Sequence, residues 1–115
     1  MPFADDTCMN LLIIRMKVLS KKRKELSQTI ASLIRSIRTE KGCKRCNFCQ
    51  DIEDENAFYL LEEWDTQENL ESYLKSERFK VLRGAMNLLT ETCEMMFNTI
   101  AAGKKRTEAR CQPAV

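Results

Sequence analysis

The chain contains no histidine. A mixed cysteine–histidine zinc site therefore cannot be assembled from it. Charge of one sign is also scarce: 19 Lys and Arg against 17 Asp and Glu leave a net charge of +2. The two signs mix along the chain and form no basic stripe, so nucleic acid is not an expected partner. No apolar run approaches the roughly 18 residues that a membrane span needs. The opening MPFADDTCMN carries Asp5 and Asp6 where a secretory leader carries Lys or Arg. The expectation is a soluble, cytoplasmic protein with no membrane association. Internal repeats and low-complexity segments are lacking too.

What remains is a compact set of signals. The 115 residues fit one domain, and 43% hydrophobic with 31% charged residues reads as globular. A domain of this size buries a lower fraction of its surface and often recruits a second subunit. Residues 1–9 show no period and are expected to be flexible. Asn10 to Leu19 alternates: Leu12, Ile14, Met16 and Val18 make one apolar face, which predicts a strand. From Ser20 the spacing changes to three and four, through Leu26, Ile30, Leu33, Ile34 and Ile37, the seam of an amphipathic helix that Gly42 stops. Lys21 to Lys24 oppose the positive end of the helix dipole, so a late first turn is expected.

Two strand-like stretches follow, Cys43 to Gln50 and Ala57 to Trp64, and the acidic turn DIEDEN between them predicts an antiparallel hairpin. Asp65 with Glu68 reads as a capping signal for a second helix carrying Leu70, Tyr73, Leu74, Phe79, Leu82, Met86 and Leu89. A bend near Lys75–Glu77 or Gly84 is expected. CEMMFNTIA, Cys93 to Ala101, is a last strand, and 102–115 is a polar tail.

The stretch GCKRCNFCQD poses the main chemical question. In a regular strand Cys43 and Cys49 share one face, about 20 Å apart, and Cys46 points to the other. Three thiols so placed cannot meet at one metal ion. An iron–sulfur run requires a fourth cysteine where Glu53 stands. The expectation is that they are strand residues and that no metal binds, with a redox-sensing thiol as the alternative because Lys44 and Arg45 would favour a thiolate.

Strand, helix, strand, strand, helix, strand is the order of an α+β ferredoxin-like domain with a four-stranded antiparallel sheet. Both helices bury one stripe each on one sheet face. The other face is partly apolar through Leu11 and Ile13, so a homodimer is expected.

LLIIRMKV, the helix ending EKGC, and CQDIEDENAFYLLEEWDTQENLESYLKSERFKVL together resemble the antibiotic biosynthesis monooxygenase (ABM) domain, over about residues 10–101. The acidic turn, the strand ending Glu62-Glu63-Trp64 and the helix reaching Ser76-Glu77-Arg78-Phe79 carry most of the likeness. The resemblance implies a dimeric α/β barrel with a pocket between sheet and helices in each subunit. It implies oxidation of quinols or polycyclic phenols by dioxygen with no cofactor, neither flavin nor metal. Such chemistry is physically simple: a phenolate hands an electron to dioxygen directly, and the protein binds it, favours its anion and excludes water. The second-helix positions that hold histidine in better-understood members carry Tyr73, Arg78 and Arg83. Haem-cleaving relatives use a first-strand Asn, aligned here with Ile14, a Trp like Trp64 and a His aligned with Arg83, so a haem role is not expected.

On this resemblance Trp64, Arg83 and Tyr73 are the catalytic candidates. Asn47, Tyr59, Arg78, Met86 and Phe97 are the substrate-binding candidates. Asn98, like Asn47, is a strand asparagine that could turn into the cavity. Arg15 is expected to pair with Glu62 or Glu63 across the sheet. The leading functional reading is a cofactor-independent monooxygenase of a quinol or polycyclic phenol. The alternatives are a non-catalytic module that binds small aromatics on the same dimeric fold, and a thiol-based redox sensor.

Overall fold

The computed structural model describes residues 8–101. The expectations for residues 1–7 and for the tail 102–115 lie outside them. The elements are β1 (Cys8–Lys17), a 3-10 turn (Ser20–Lys22), α1 (Arg23–Arg38), β2 (Cys43–Gln50), β3 (Ala57–Trp64), α2 (Gln67–Leu74), α3 (Glu77–Leu89) and β4 (Thr92–Ala101). They form an α+β ferredoxin-like domain with a four-stranded antiparallel sheet ordered β2-β3-β1-β4. The first strand begins at Cys8, inside the stretch expected to be loose, because Cys8 and Met9 pair with Ala101 and Ile100 of β4.

Alternation builds the sheet. Leu12, Ile14 and Met16 of β1 are wholly buried against the helices together with Leu60 and Trp64 of β3. Leu26, Ile30, Ile34 and Ile37 of α1 meet them from above. The basic run delays α1: the chain makes a 3-10 turn over Ser20–Lys22, and α1 starts at Arg23 without a side-chain cap.

The second helix departs from expectation in its cap and breaks at the first of the two positions where a bend was expected. Its cap is Thr66, not Asp65: the Thr66 hydroxyl accepts the Asn69 backbone N–H at 3.0 Å, while Asp65 accepts the Asn69 side-chain amide at 2.9 Å. It is also two helices. Ser76 accepts the Phe79 N–H and starts α3 afresh, so the break is at Lys75–Ser76, and Gly84 lies inside α3.

Gly42 closes the α1–β2 connection at φ 92°. A Cβ there would stand 2.5 Å from Asp65 Oδ1 and 2.6 Å from Asn69 Cβ. Gly42→Ala is therefore expected to lose about 2–4 kcal/mol, from left-handed strain plus displacement of the Asp65–Asn69 contact. Urea denaturation would measure it; a loss below about 1 kcal/mol would show that the α2 start moves aside freely.

The alternation expected for Cys43–Gln50 fails at one point. A bulge between Cys43 and Arg45 brings Cys43 opposite Trp64 and Cys46 opposite Glu62, both on the helix side. Cys43 thus shares its face with Cys46, and Cys49, opposite Tyr59, takes the outer face. Arg15 is also corrected. It lies on the outer face, where its Nε donates to the Tyr59 hydroxyl at 3.2 Å. Glu62 is on the opposite side of the sheet, and Glu63 instead meets Arg45 at 3.6 Å.

Candidate functional site

A cavity of about 280 Å³ opens between α2 and the β1–β4 edge of the sheet. The sequence puts it there by simple geometry. Helices α1 and α3 lie side by side over the sheet, while α2 has only two turns and leaves the end of β4 uncovered. Phe97 is consequently 52% exposed although it faces the helix side opposite Leu12. Leu70 and Leu74 of α2 form the facing wall, and Asn10, Asn98 and Glu71 supply polar atoms. Asn10 is 5% exposed, and its Oδ1 accepts the Thr99 hydroxyl at 3.1 Å, which leaves its amide N–H groups free to donate.

Beside the cavity lies a sealed polar cluster. Trp64 pairs in register with Asn10, so it sits one residue behind the cavity wall. Its ring stacks on Tyr73 with centroids 4.7 Å apart, and Tyr73 meets Phe79 edge-on at 5.3 Å. The Trp64 indole N–H donates to Glu62 Oε1 at 3.0 Å. Glu62, Trp64 and Tyr73 are all within 1% of complete burial. Glu62 Oε2 and the Tyr73 hydroxyl make no hydrogen bond. Burial, with no cation to offset it, pushes the Glu62 carboxyl up to about 7. Burial, then Glu62 itself, push the Tyr73 phenol up.

The expected site residues do not converge. Trp64 and Tyr73 touch, and Met86 is buried in the same core, its sulfur 3.8 Å from Cys93 Sγ. None of the three lines the cavity; Phe97 and Asn98 do. Arg83 is exposed on α3, off the stripe of Phe79, Leu82, Met86 and Leu89 that faces inward. Arg78 ties α3 to the end of α1, with Nη1 2.6 Å from Glu40 Oε2 and 3.2 Å from the Ser36 carbonyl. Tyr59 stands on the outer sheet face with Arg15. Asn47 lines a separate groove on the free edge of β2, among Arg38, Lys44 and Arg45. There Arg38 donates to the Cys46 carbonyl at 3.0 and 2.7 Å, which blocks an open strand edge. Ile14 pairs with Leu60 in the core, and the asparagine opposite Trp64 is Asn10.

Sequence reasoning missed Asn10, Leu70, Glu71 and Leu74 as cavity residues, and Glu62 as a buried acid. For Glu62 a signal existed: Phe58, Leu60, Glu62 and Trp64 share one parity of β3. Among the described residues no group of three or more His, Cys, Asp and Glu could hold a metal ion. Burial raises the Cys43 and Cys93 thiols and pushes Cys46 up to about 12, with Glu62 adding to the rise at Cys46. The thiolate that Lys44 and Arg45 were expected to favour is therefore disfavoured at these three positions. No described helix is long and apolar enough to cross a membrane.

No curated protein matches the chain in sequence. Solved structures do match in shape. A conserved protein of Methanosarcina mazei Go1 superposes with TM-score 0.73 at 22% identity, over 84% of this chain and 94% of that one. A protein of Pseudomonas aeruginosa gives 0.71 at 22% identity, over 81% and 94%. A Nitrosomonas europaea protein described as an antibiotic biosynthesis monooxygenase gives 0.70 at 16% identity, over 77% and 95%. At such identities the likeness shows the fold. The family assignment rests on the sequence match of residues 9–85 to the family model, and by that match the chain belongs to the antibiotic biosynthesis monooxygenase family.

Proposed function

We propose that the chain is a cofactor-independent monooxygenase that oxidises a small quinol with dioxygen in the cavity under α2, and that it acts as a homodimer. The cavity carries this reading. Its volume of about 280 Å³ lies at the small end of ligand sites, roughly 300 Å³ and upward. It suits one or two fused rings better than a polycyclic phenol. Leu70, Leu74 and Phe97 offer flat apolar contact to a ring. The amide of Asn10 suits a ring hydroxyl, and Glu71, held by Gln67 Nε2 at 3.0 Å, is a carboxylate on the wall that can take a hydroxyl proton.

The chemistry balances without a further reactant. The quinolate passes one electron to dioxygen, and the two radicals join at the ring carbon beside the oxygen. The hydroperoxide so formed loses water. One quinol and one dioxygen yield one hydroxyquinone and one water. An amide donor at the oxygen favours the anion, and the apolar wall limits the water around the ring.

The dimer is supported by the outer sheet face. Met96, Ile13 and Leu61 form a row across β4, β1 and β3, with Leu11 and Ile100 beside it. Met96 is 42% and Ile100 45% exposed, a patch that a second copy would cover.

An oxygen electrode tests the reading with one- and two-ring quinols, in air and under nitrogen. Expected is oxygen uptake that depends on protein, falling about tenfold in kcat/KM when Phe97→Ala removes the ring contact. Equal uptake with and without protein across the panel would overturn it. One observation favours a second reading, a small-aromatic binding module without turnover: Glu71 is the lone titratable group on the cavity wall. A ligand-induced rise in Tm with no oxygen consumption would select that reading.

A further inference from the structure

Glu62 is the sole wholly buried acidic or basic side chain among the described residues. Its surroundings come from every layer. Leu12 of β1 and Cys46 of β2 flank it in register, with Cys43 beyond Cys46. Trp64 donates to it from its own strand, and Tyr73 faces it from α2. None of these is a cation. Arg38 is committed to the Cys46 carbonyl, and Glu40 to Arg78. Two polar atoms, Glu62 Oε2 and the Tyr73 hydroxyl, are thus buried without a hydrogen-bond partner between β3 and α2. The Tyr73 hydroxyl and the Glu62 carboxyl lie on facing elements with no hydrogen bond between them.

We propose that Glu62 is a proton-operated positioning residue: neutral, it lets Tyr73 hold α2 down on the sheet, and ionised, it loosens α2 together with the cavity wall that α2 carries. The significance for the cavity rests on the quinol-site reading; the switch itself does not. A buried carboxylate without a cation draws water or moves its cover. The cover here is weak. Helix α2 has eight residues, one side-chain cap at Thr66 and a break at Lys75–Ser76. Leu70, Glu71 and Leu74 ride on it, so its docking sets the shape of the cavity.

The test uses the whole chain with no substrate. Trp64 is the only tryptophan, and it touches the switch, so its fluorescence reports Glu62 directly. For a group titrating near 7 the ionised fraction rises about tenfold between about pH 6 and about pH 8. Expected are a Trp64 fluorescence midpoint near neutrality and about a tenfold rise in α2 amide exchange over that range, after correction for intrinsic rates. Glu62→Gln should abolish both changes and keep α2 in its slowly exchanging state. Tyr73→Phe should move the midpoint upward, because an apolar ring in place of the unpaired hydroxyl makes the cover over the carboxyl less polar and favours the docked, neutral state. A flat α2 exchange profile in the unmodified protein would overturn the proposal. So would the same transition in Glu62→Gln, or an unmoved midpoint in Tyr73→Phe. If the quinol reading alone is wrong, the fluorescence and exchange transitions persist while no quinol is consumed.

Discussion

Replacing Trp64 with alanine is expected to destabilise the protein by about 4 kcal/mol, a large part of the stability of a domain this size. Two losses add. The indole is wholly buried, and its removal leaves a void bordered by Tyr73 and Asn10. Its N–H is also the sole hydrogen-bond donor to Glu62 among the described residues, so the carboxyl is left with both oxygens unpaired in the core. Trp64→Phe separates the losses, because it keeps much of the volume and removes the donor. Its expected cost is about 2 kcal/mol. Urea midpoints of the three proteins measure both figures. A cost below about 1 kcal/mol for Trp64→Ala would mean that the ring is not in the core.

The second large effect is a pH dependence of the opposite sense from that of an ion-paired acid. Glu62 rises from its ordinary 4.5 to about 7 on folding. The folded chain therefore binds the proton more tightly than the unfolded chain. The stability from the neutral carboxyl is fully present below the unfolded value, and it is lost as pH rises through about 7. The loss is about 3 kcal/mol. Glu62→Gln keeps an acceptor for the Trp64 N–H and carries no charge at any pH. It should be more stable than the parent by about 2–3 kcal/mol at about pH 8, with the difference shrinking as pH falls toward the unfolded value. Thermal or urea unfolding across that range measures it. A parent curve that rises from pH 5 to 8 while Glu62→Gln stays flat would reverse the sign and show an ionised, partnered Glu62.

Much of the fold was legible because the signals were local. The hairpin strands came out at Cys43–Gln50 and Ala57–Trp64, as the acidic turn fixed both inner ends. Arg23, rather than Ser20, starts α1, as the basic run required. Less was legible where one residue changes the phase. The bulge after Cys43 adds a single residue to β2, and no periodicity announces it, yet it moves Cys43 to the helix face. The restart at Ser76 fell where a bend was expected, and Phe79, Leu82, Met86 and Leu89 form the inward stripe that was expected, with Arg83 exposed beside it. The cavity was hidden for a different reason. Leu70 and Leu74 read as ordinary core positions, and only the shortness of α2 against the length of β4 leaves space between them and Phe97, the one expected substrate-binding residue on the wall. Glu62 was readable from its parity with Phe58, Leu60 and Trp64, but charge at a core position is easily assigned to a surface pair.

The proposed function places a quinol and dioxygen in the small, partly open cavity under the two-turn helix α2. Mass spectrometry of the product formed under isotopically heavy dioxygen tests that picture most directly. Expected is a hydroxyquinone carrying one labelled oxygen, formed at a rate proportional to protein and reduced in Phe97→Ala. An unlabelled product, or a labelled one formed as fast without protein, would contradict it.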